Sequence, residues 1–164
     1  MELNDYIGKP TGAGTIHLER GAVSRFATAV TDDNPVYHDL AAARAAGLDA
    51  PPLPPTWTFA AQYLGTWPED QPEDPTGGEG NPMMKIMREL MKGGGLVLHG
   101  EQEFRYHKTA RCGDVLHWSG AITDIYTKES KGKVMTFIVM ETVFRDDEGE
   151  PVVTEIFNLI HRGA

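Results

Sequence analysis

Beyond Gly93–Gly94–Gly95 the apolar residues change their spacing from helical to alternate positions, and they keep it almost to the end of the chain. Leu96–His107, Val115–Tyr126, Val134–Phe144 and Val152–His161 each read as a strand, enriched in β-branched and aromatic residues. The breaks between them are short and polar: Lys108–Asp114, Lys128–Lys133 with Gly132, and Asp146–Gly149. Parallel pairing needs crossovers of about a dozen residues or more, so these strands are expected to run antiparallel, as a four-stranded meander. Trp118, Ile122 and Tyr126 alternate with Val115, Ala121 and Ile125, which makes both faces of one strand partly apolar. A sheet with one solvated face alternates apolar with polar residues instead. The surplus apolar surface implies a dimer.

The first half of the chain reads as helices and loops. From Glu19, the positions of Val23, Phe26, Ala27 and Val30 mark an amphipathic helix, which must stop by Asn34 because Pro35 follows. Asp39–Ala46 is a second, alanine-rich helix closed by Gly47. After Pro51–Pro55, Thr56–Leu64 reads as a buried, mostly apolar helix for a sheet to wrap. Met83–Met91 gives a further short helix, whose methionines suit core packing and would also suit an adaptable lining for an acyl chain. Residues 1–14 are expected to be a loosely ordered start, Thr15–Leu18 a short strand, and residues 65–82 a long polar loop. The fold class is α+β: an antiparallel sheet around one central apolar helix, in a single domain over residues 1–164.

Several classes of function are set aside by composition. A formal net charge of −9 with no Lys/Arg cluster disfavours nucleic acid and anionic membranes. The start of the chain lacks the features of a signal peptide, and no apolar run approaches membrane-span length. Cys112 is the single cysteine, so an intrachain disulfide is impossible and a cytoplasmic location is the default. No metal-ligand spacing occurs among the histidines and carboxylates, Gly93–Gly95 lacks a strand-turn-helix context, and no serine sits in a nucleophile elbow.

Chemistry is concentrated in Asp32–Asp33–Asn34–Pro35–Val36–Tyr37–His38–Asp39. Spacing alone favours turn and capping roles for Asp32, Asn34 and Asp39. General acid–base work would need a carboxylate and an imidazole to converge, with Asp32 and either His38 or Tyr37 as the candidates. His99, Glu101 and His107 are expected on one strand face, where solvent exposure accounts for them as well as ligand binding does.

The run from Ala22 to Asp39, continued by Ala41–Gly47 and Ala50–Pro52, resembles the MaoC-like (R)-specific enoyl-CoA hydratase/dehydratase family. Leu98–Lys108, ending in Gly113–Asp114, is similar to the N-terminal, fatty-acid-synthase-like dehydratase branch of that family. The resemblance implies a hot-dog fold and the reversible, cofactor-independent addition of water to a trans-2-enoyl thioester of CoA or acyl carrier protein. Catalytic members carry Asp-x-Asn-Pro-x-His, whose Asp–His dyad activates the water, and a backbone N–H at the central helix that polarises the thioester carbonyl. Asp32, Asn34 and Pro35 match this motif, whereas Tyr37 takes the histidine position and His38 falls one place late. Pro54 and Pro55 have no N–H, which puts the carbonyl contact near Thr56. In the branch it resembles, units with a broken motif commonly pair with a second MaoC-like unit, fused or on a separate chain, that carries the intact dyad, and the broken unit shapes the acyl pocket. Three readings follow from the resemblance: a hydro-lyase subunit with a MaoC-like partner, a homodimeric hydratase using Asp32 and His38, or a non-catalytic acyl-thioester-binding protein.

Overall fold

The structure, a computed structural model, describes residues 2–61 and 63–164. Met1 of the expected loose start and Gln62 of the expected central helix lie outside the described residues. The architecture grows from one hairpin, β3 (Val115–Ser130) and β4 (Lys133–Arg145). Lys131 and Gly132 join them, both in the left-handed region at φ 52° and 73°. A two-residue turn of that kind matches the right-handed twist of its strands, so the pairing runs on to Ser130 and Lys133. The Lys128–Lys133 stretch expected as a turn is therefore mostly strand. β5 (Pro151–Arg162) follows across a loop in which Asp146 Oδ1 accepts from the Glu148 and Glu150 amides at 3.1 and 2.9 Å.

The meander stops at these three strands. The sheet order is β1 (Pro10–His17), β3, β4, β5, β2 (Leu96–Tyr106), and β2 pairs with β5 at the far edge instead of with β3. Residues 107–114 cross three strand spacings of about 4.8 Å each, within easy reach of eight residues at about 3.4 Å apiece. Alternation fixes that strands pair antiparallel; it does not fix which edge is taken. The opposite edge is β1 (Pro10–His17), which pairs with β3. The start of the chain is thus a 3-10 turn at Leu3–Tyr6 followed by an edge strand, where a loose start and a strand over Thr15–Leu18 were expected. Glycine hides this strand from the sequence and is required by it: a Cβ on Gly14 would lie 2.5 Å from Trp118 Nε1.

The helices α1 (Arg20–Ala29), α2 (Leu40–Ala45), α3 (Trp57–Ala61) and α4 (Pro82–Met91) complete the described fold. The helix expected over Thr56–Leu64 is shortened, with Gly65 turning the chain at φ 92° and leaving Tyr63 and Leu64 exposed. The inner face of the sheet is consequently covered in two patches. Trp57 and Ala61 pack with Ile16, Val23, Leu116, Phe144 and Val153; Ile86 and Met87 of α4 pack with Ile122, Ile125, Ile138 and Met140. Met84 and Met91 point outward. The loop over 65–82 holds one 3-10 turn, Pro68–Asp70, and is tied to β1. The Gln71 side chain donates to Thr15 O at 3.1 Å and accepts from Thr15 N at 3.0 Å, while His17 meets Asp70 at 2.7 Å.

A bulge between His99 and Gln102 separates residues expected on one face. His99 turns inward against Phe157 and Phe59, with ring centroids 4.6 and 5.9 Å away, whereas Glu101 accepts from Asn158 Nδ2 at 3.3 Å on the outer face. The outer face carries a cross-strand row of Leu98, Ile160, Phe137 and Tyr126. Among the described residues no helix is long and apolar enough to cross a membrane. Ile138 has no exposed surface between the sheet and α4. Ile138→Ala should therefore lower unfolding stability by about 2–5 kcal/mol, read as a shifted urea midpoint at unchanged slope.

Candidate functional site

In the segment between α1 and α2, Asp32, Asn34 and Asp39 each bond a nearby backbone amide. Thr31 takes φ 59°, and Asp32 N closes back on Ala27 O at 2.9 Å. Asp32 Oδ1 accepts from the Asn34 amide at 3.1 Å, and Asn34 Oδ1 accepts from the Val36 amide at 3.1 Å, capping a 3-10 turn over Pro35–Tyr37. Asp39 caps α2 through the Ala42 amide at 2.9 Å, which holds its carboxyl below the ordinary carboxylate value.

Both ring nitrogens of His38 are engaged away from the Asp32 carboxylate. Nδ1 lies 2.7 Å from Ser24 Oγ, and Nε2 lies 3.2 Å from the Asp32 main-chain oxygen. A carbonyl only accepts, so Nε2 carries the proton and, in the neutral ring, Nδ1 accepts from Ser24. Arg20 adds a donor to the His38 carbonyl at 3.3 Å. The imidazole fastens this loop to α1.

The proline-rich segment is pinned along the 107–114 link. Leu53 N donates to Ala110 O at 3.0 Å and Cys112 N to Pro51 O at 2.8 Å. It delivers Thr56 in the left-handed region, at φ 66°, a conformation that is strained for a β-branched residue. The Thr56 amide is turned out of the helix and donates to the Tyr106 hydroxyl at 3.3 Å. Tyr37, Pro54, Thr56, Thr58, Tyr106 and Lys108 line a cavity of about 240 Å³ here, largely apolar in its walls. Tyr37 and Thr56 are thus brought together; Asp32, Asn34 and His38 are not among the lining residues. Burial, and then the Asp32 carboxylate, hold the Tyr37 phenol above its ordinary value, so it stays protonated at neutral pH. Lys108 at the mouth is paired with Asp146 at 2.6 Å.

Two residues of this region had no place in the sequence reading. Tyr106 gave no signal beyond closing a strand. Glu155 gave a clear one: Val153, Glu155, Phe157 and Leu159 occupy the same strand phase, and the other three are apolar. Glu155 is 6% exposed on the inner face of β5, and the Thr58 hydroxyl of α3 donates to its carboxylate. Burial pushes its carboxyl up to about 7, against the opposing pull of that hydrogen bond. Among the described residues no group of three or more His, Cys, Asp or Glu is placed to hold a metal ion.

The Glu155 shift has a signed consequence for stability. Between about pH 4.3, where an unfolded glutamate titrates, and about pH 7, the folded chain keeps a proton that the unfolded chain has released. The stabilisation is complete below the lower value and is lost as pH rises through the upper one. Urea unfolding from about pH 5 to 8 should show a decline of about 2–3 kcal/mol that Glu155→Gln abolishes. Parallel declines in the two proteins would mean that the carboxyl is ionised throughout.

With the geometry in place, comparison with known proteins adds relatives. The FAS1-like dehydratase domain region matches residues 5–155. A UPF0336 protein of Thermobifida fusca is 31% identical over 165 residues, spanning 99% of this chain and 96% of the relative. Among solved structures, the ChsH1–ChsH2 complex of Mycobacterium tuberculosis contains a chain similar at TM-score 0.70 and 24% identity, over 92% of this chain and 83% of that one. The HadBC (3R-hydroxyacyl-ACP dehydratase) complex of the same organism matches at TM-score 0.63 and 21% identity, over 93% and 96%. These two likenesses are of fold, and the fold is the hot-dog expected from the resemblance.

Proposed function

The chain belongs to the FAS1-like dehydratase domain-region family, and on that footing we propose that it is one subunit of an (R)-specific enoyl-thioester hydratase or 3-hydroxyacyl-thioester dehydratase, working with a MaoC-like catalytic partner. The observation that carries this reading is the contrast between Thr56 and His38. The Thr56 amide is held, under strain, toward a hydroxyl oxygen in a cavity, whereas both His38 nitrogens are committed to Ser24 and a main-chain carbonyl. That contrast supports a chain that holds the thioester oxygen and leaves proton movement to a partner.

In hydration, water adds at the thioester's β-carbon and a proton goes to the α-carbon, with negative charge collecting on the carbonyl oxygen between the two events. An amide aimed at that oxygen lowers the barrier, by about 3–4 kcal/mol where such a donor has been removed elsewhere. Thr56 N–H takes this role once the thioester oxygen displaces the Tyr106 hydroxyl. Tyr37 stands at the motif's histidine position, and a phenol held above its ordinary value does not deprotonate water at neutral pH. On this reading the base is supplied by the partner chain.

The open side of the sheet supports a partner. β2 is an edge strand with Leu96, Val97 and Leu98 exposed, beside the aromatic group of His99, Phe59 and Phe157. An edge of that character invites pairing with another chain. The solved neighbours named above are themselves complexes. A cytoplasmic site of action suits the lone thiol of Cys112.

Crotonyl-CoA and longer enoyl-CoAs, assayed with the chain alone and with a neighbouring-gene MaoC-like protein, test this. The pair is expected to exceed the chain alone by about 100-fold or more, with Asp32→Ala in this chain lowering kcat less than about threefold. Full activity of the chain alone that is lost in Asp32→Ala or His38→Ala would overturn the reading in favour of a self-sufficient homodimer. Tight acyl-CoA binding without turnover in every pairing would favour a binding protein.

A further inference from the structure

The outer face of the sheet carries two blocks of opposite charge with an apolar band between them. Lys128, Met135, Arg162 and Leu96 form one cross-strand row over β3, β4, β5 and β2, and Lys133 lies beyond it at the start of β4. Among the described residues Lys128, Lys133 and Arg162 have no ion-pair partner. Lys128 Nζ stands instead 5.2 Å from the ring centroids of both Tyr126 and Phe137. These two rings stack at 4.7 Å and, with Ile160 and Leu98, make the next row, which is apolar throughout. Across this band the sign reverses. Asp124 lies on the far side of Tyr126 and Glu141 on the far side of Phe137, while Glu101 is held by Asn158, on the far side of Ile160. Arg105, the cation of that region, is already paired with Glu103 at 2.7 Å, so the block stays acidic.

Cations and acids thus stand at matching distances on either side of one apolar line. A half-turn about that line lays the face on its own image, with strands along strands in the opposite sense, as in aligned sheet packing. The apolar bands then meet, and Lys128 comes to the level of Asp124, Lys133 to that of Glu141 and Arg162 to that of Glu101. An acidic partner protein would match one block and be repelled by the other, whereas the chain itself carries charges in the required order. We propose that the outer face of the sheet docks against the outer face of a second copy of this chain. The patch measures about 19 Å across four strands and about 27 Å along them, a footprint of about 500 Å² per copy. The pair therefore reaches about 1,000 Å², the size at which a specific interface becomes stable. The apolar bands supply the attraction, and the exposed charges, weak one by one, fix which way round the copies meet. The β2 edge stays open in this arrangement, so two pairs of this chain with its MaoC-like partner can join back to back as four chains.

Sedimentation velocity of the full chain, alone and with the MaoC-like partner, tests this, and two copies of this chain are expected in the assembly. Lys128→Glu and Asp124→Lys each set like charges against one another across the contact, and each should raise the dissociation constant of the two copies at least about tenfold. Combined in one chain, the two reversals restore opposite signs and should bring the constant back to within about threefold of the original. Raising salt from about 0.05 to 0.5 M should weaken the unaltered contact and strengthen that of either single variant. Both side chains are exposed, so unchanged circular dichroism is expected of all three variants. One copy of this chain per assembly in both preparations overturns the proposal. So does a dissociation constant unmoved by either reversal, which would place the contact at the β2 edge, or a double variant as weak as the singles. Each of these results leaves the acyl-thioester reading standing, since none of the substituted residues lines its cavity.

Discussion

The burial of Trp57 is the contact from which the site takes its shape. Its indole is 1% exposed, set among Ile16, Leu18, Val23, Leu116, Phe144 and Val153, so it ties α1, α3, β1, β3, β4 and β5 together. Aromatic burial of this kind is worth about 3–5 kcal/mol against truncation, more than the strain of a single left-handed threonine. With Trp57 fixed below and the prolines pinned to the 107–114 link beside it, Thr56 has little choice of backbone conformation. One residue further on, the same anchoring brings Thr58 over Glu155. Among the described residues the indole Nε1 has no hydrogen-bond partner, a loss accepted within this packing.

Much of the fold was legible because it depends on periodicity. The three strands after Asp114 and the helix over Arg20–Ala29 follow from alternation and from the spacing of Val23, Phe26 and Ala27. What escaped depends on choices that alternation does not encode. β2 was expected beside β3 and lies beside β5, since an antiparallel strand reads the same at either edge. β1 was masked by Gly12 and Gly14, which are there because of a tryptophan a hundred residues away in the chain. The bulge after His99 reversed a face assignment with a single irregular step.

The site divides along a similar line. That Tyr37 occupies the motif's histidine position is plain in the sequence, and the cavity gives that departure a meaning: the side chain at that position faces Thr56, and the neighbouring imidazole does not. Asp32, Asn34 and Asp39 illustrate how a motif can be kept for its shape. Each bonds a backbone amide two or three residues on, and together they set the path from α1 to α2 that presents Tyr37. Such residues are needed whether or not chemistry occurs, which is why their presence alone could not decide for catalysis.

The Gln71 clamp on Thr15 bears on how many chains can join. By offering both a donor and an acceptor to one residue of β1, a side-chain amide stands where a neighbouring strand would otherwise add. Among the described residues β2, at the other edge of the sheet, carries no such clamp in its Leu96–Leu98 stretch, where the side chains are exposed. Two chains that meet along that edge exhaust each other's capacity, whereas two open edges would permit head-to-tail growth without limit. A loop that looks in composition like mere connection thus covers part of the β1 edge of the sheet.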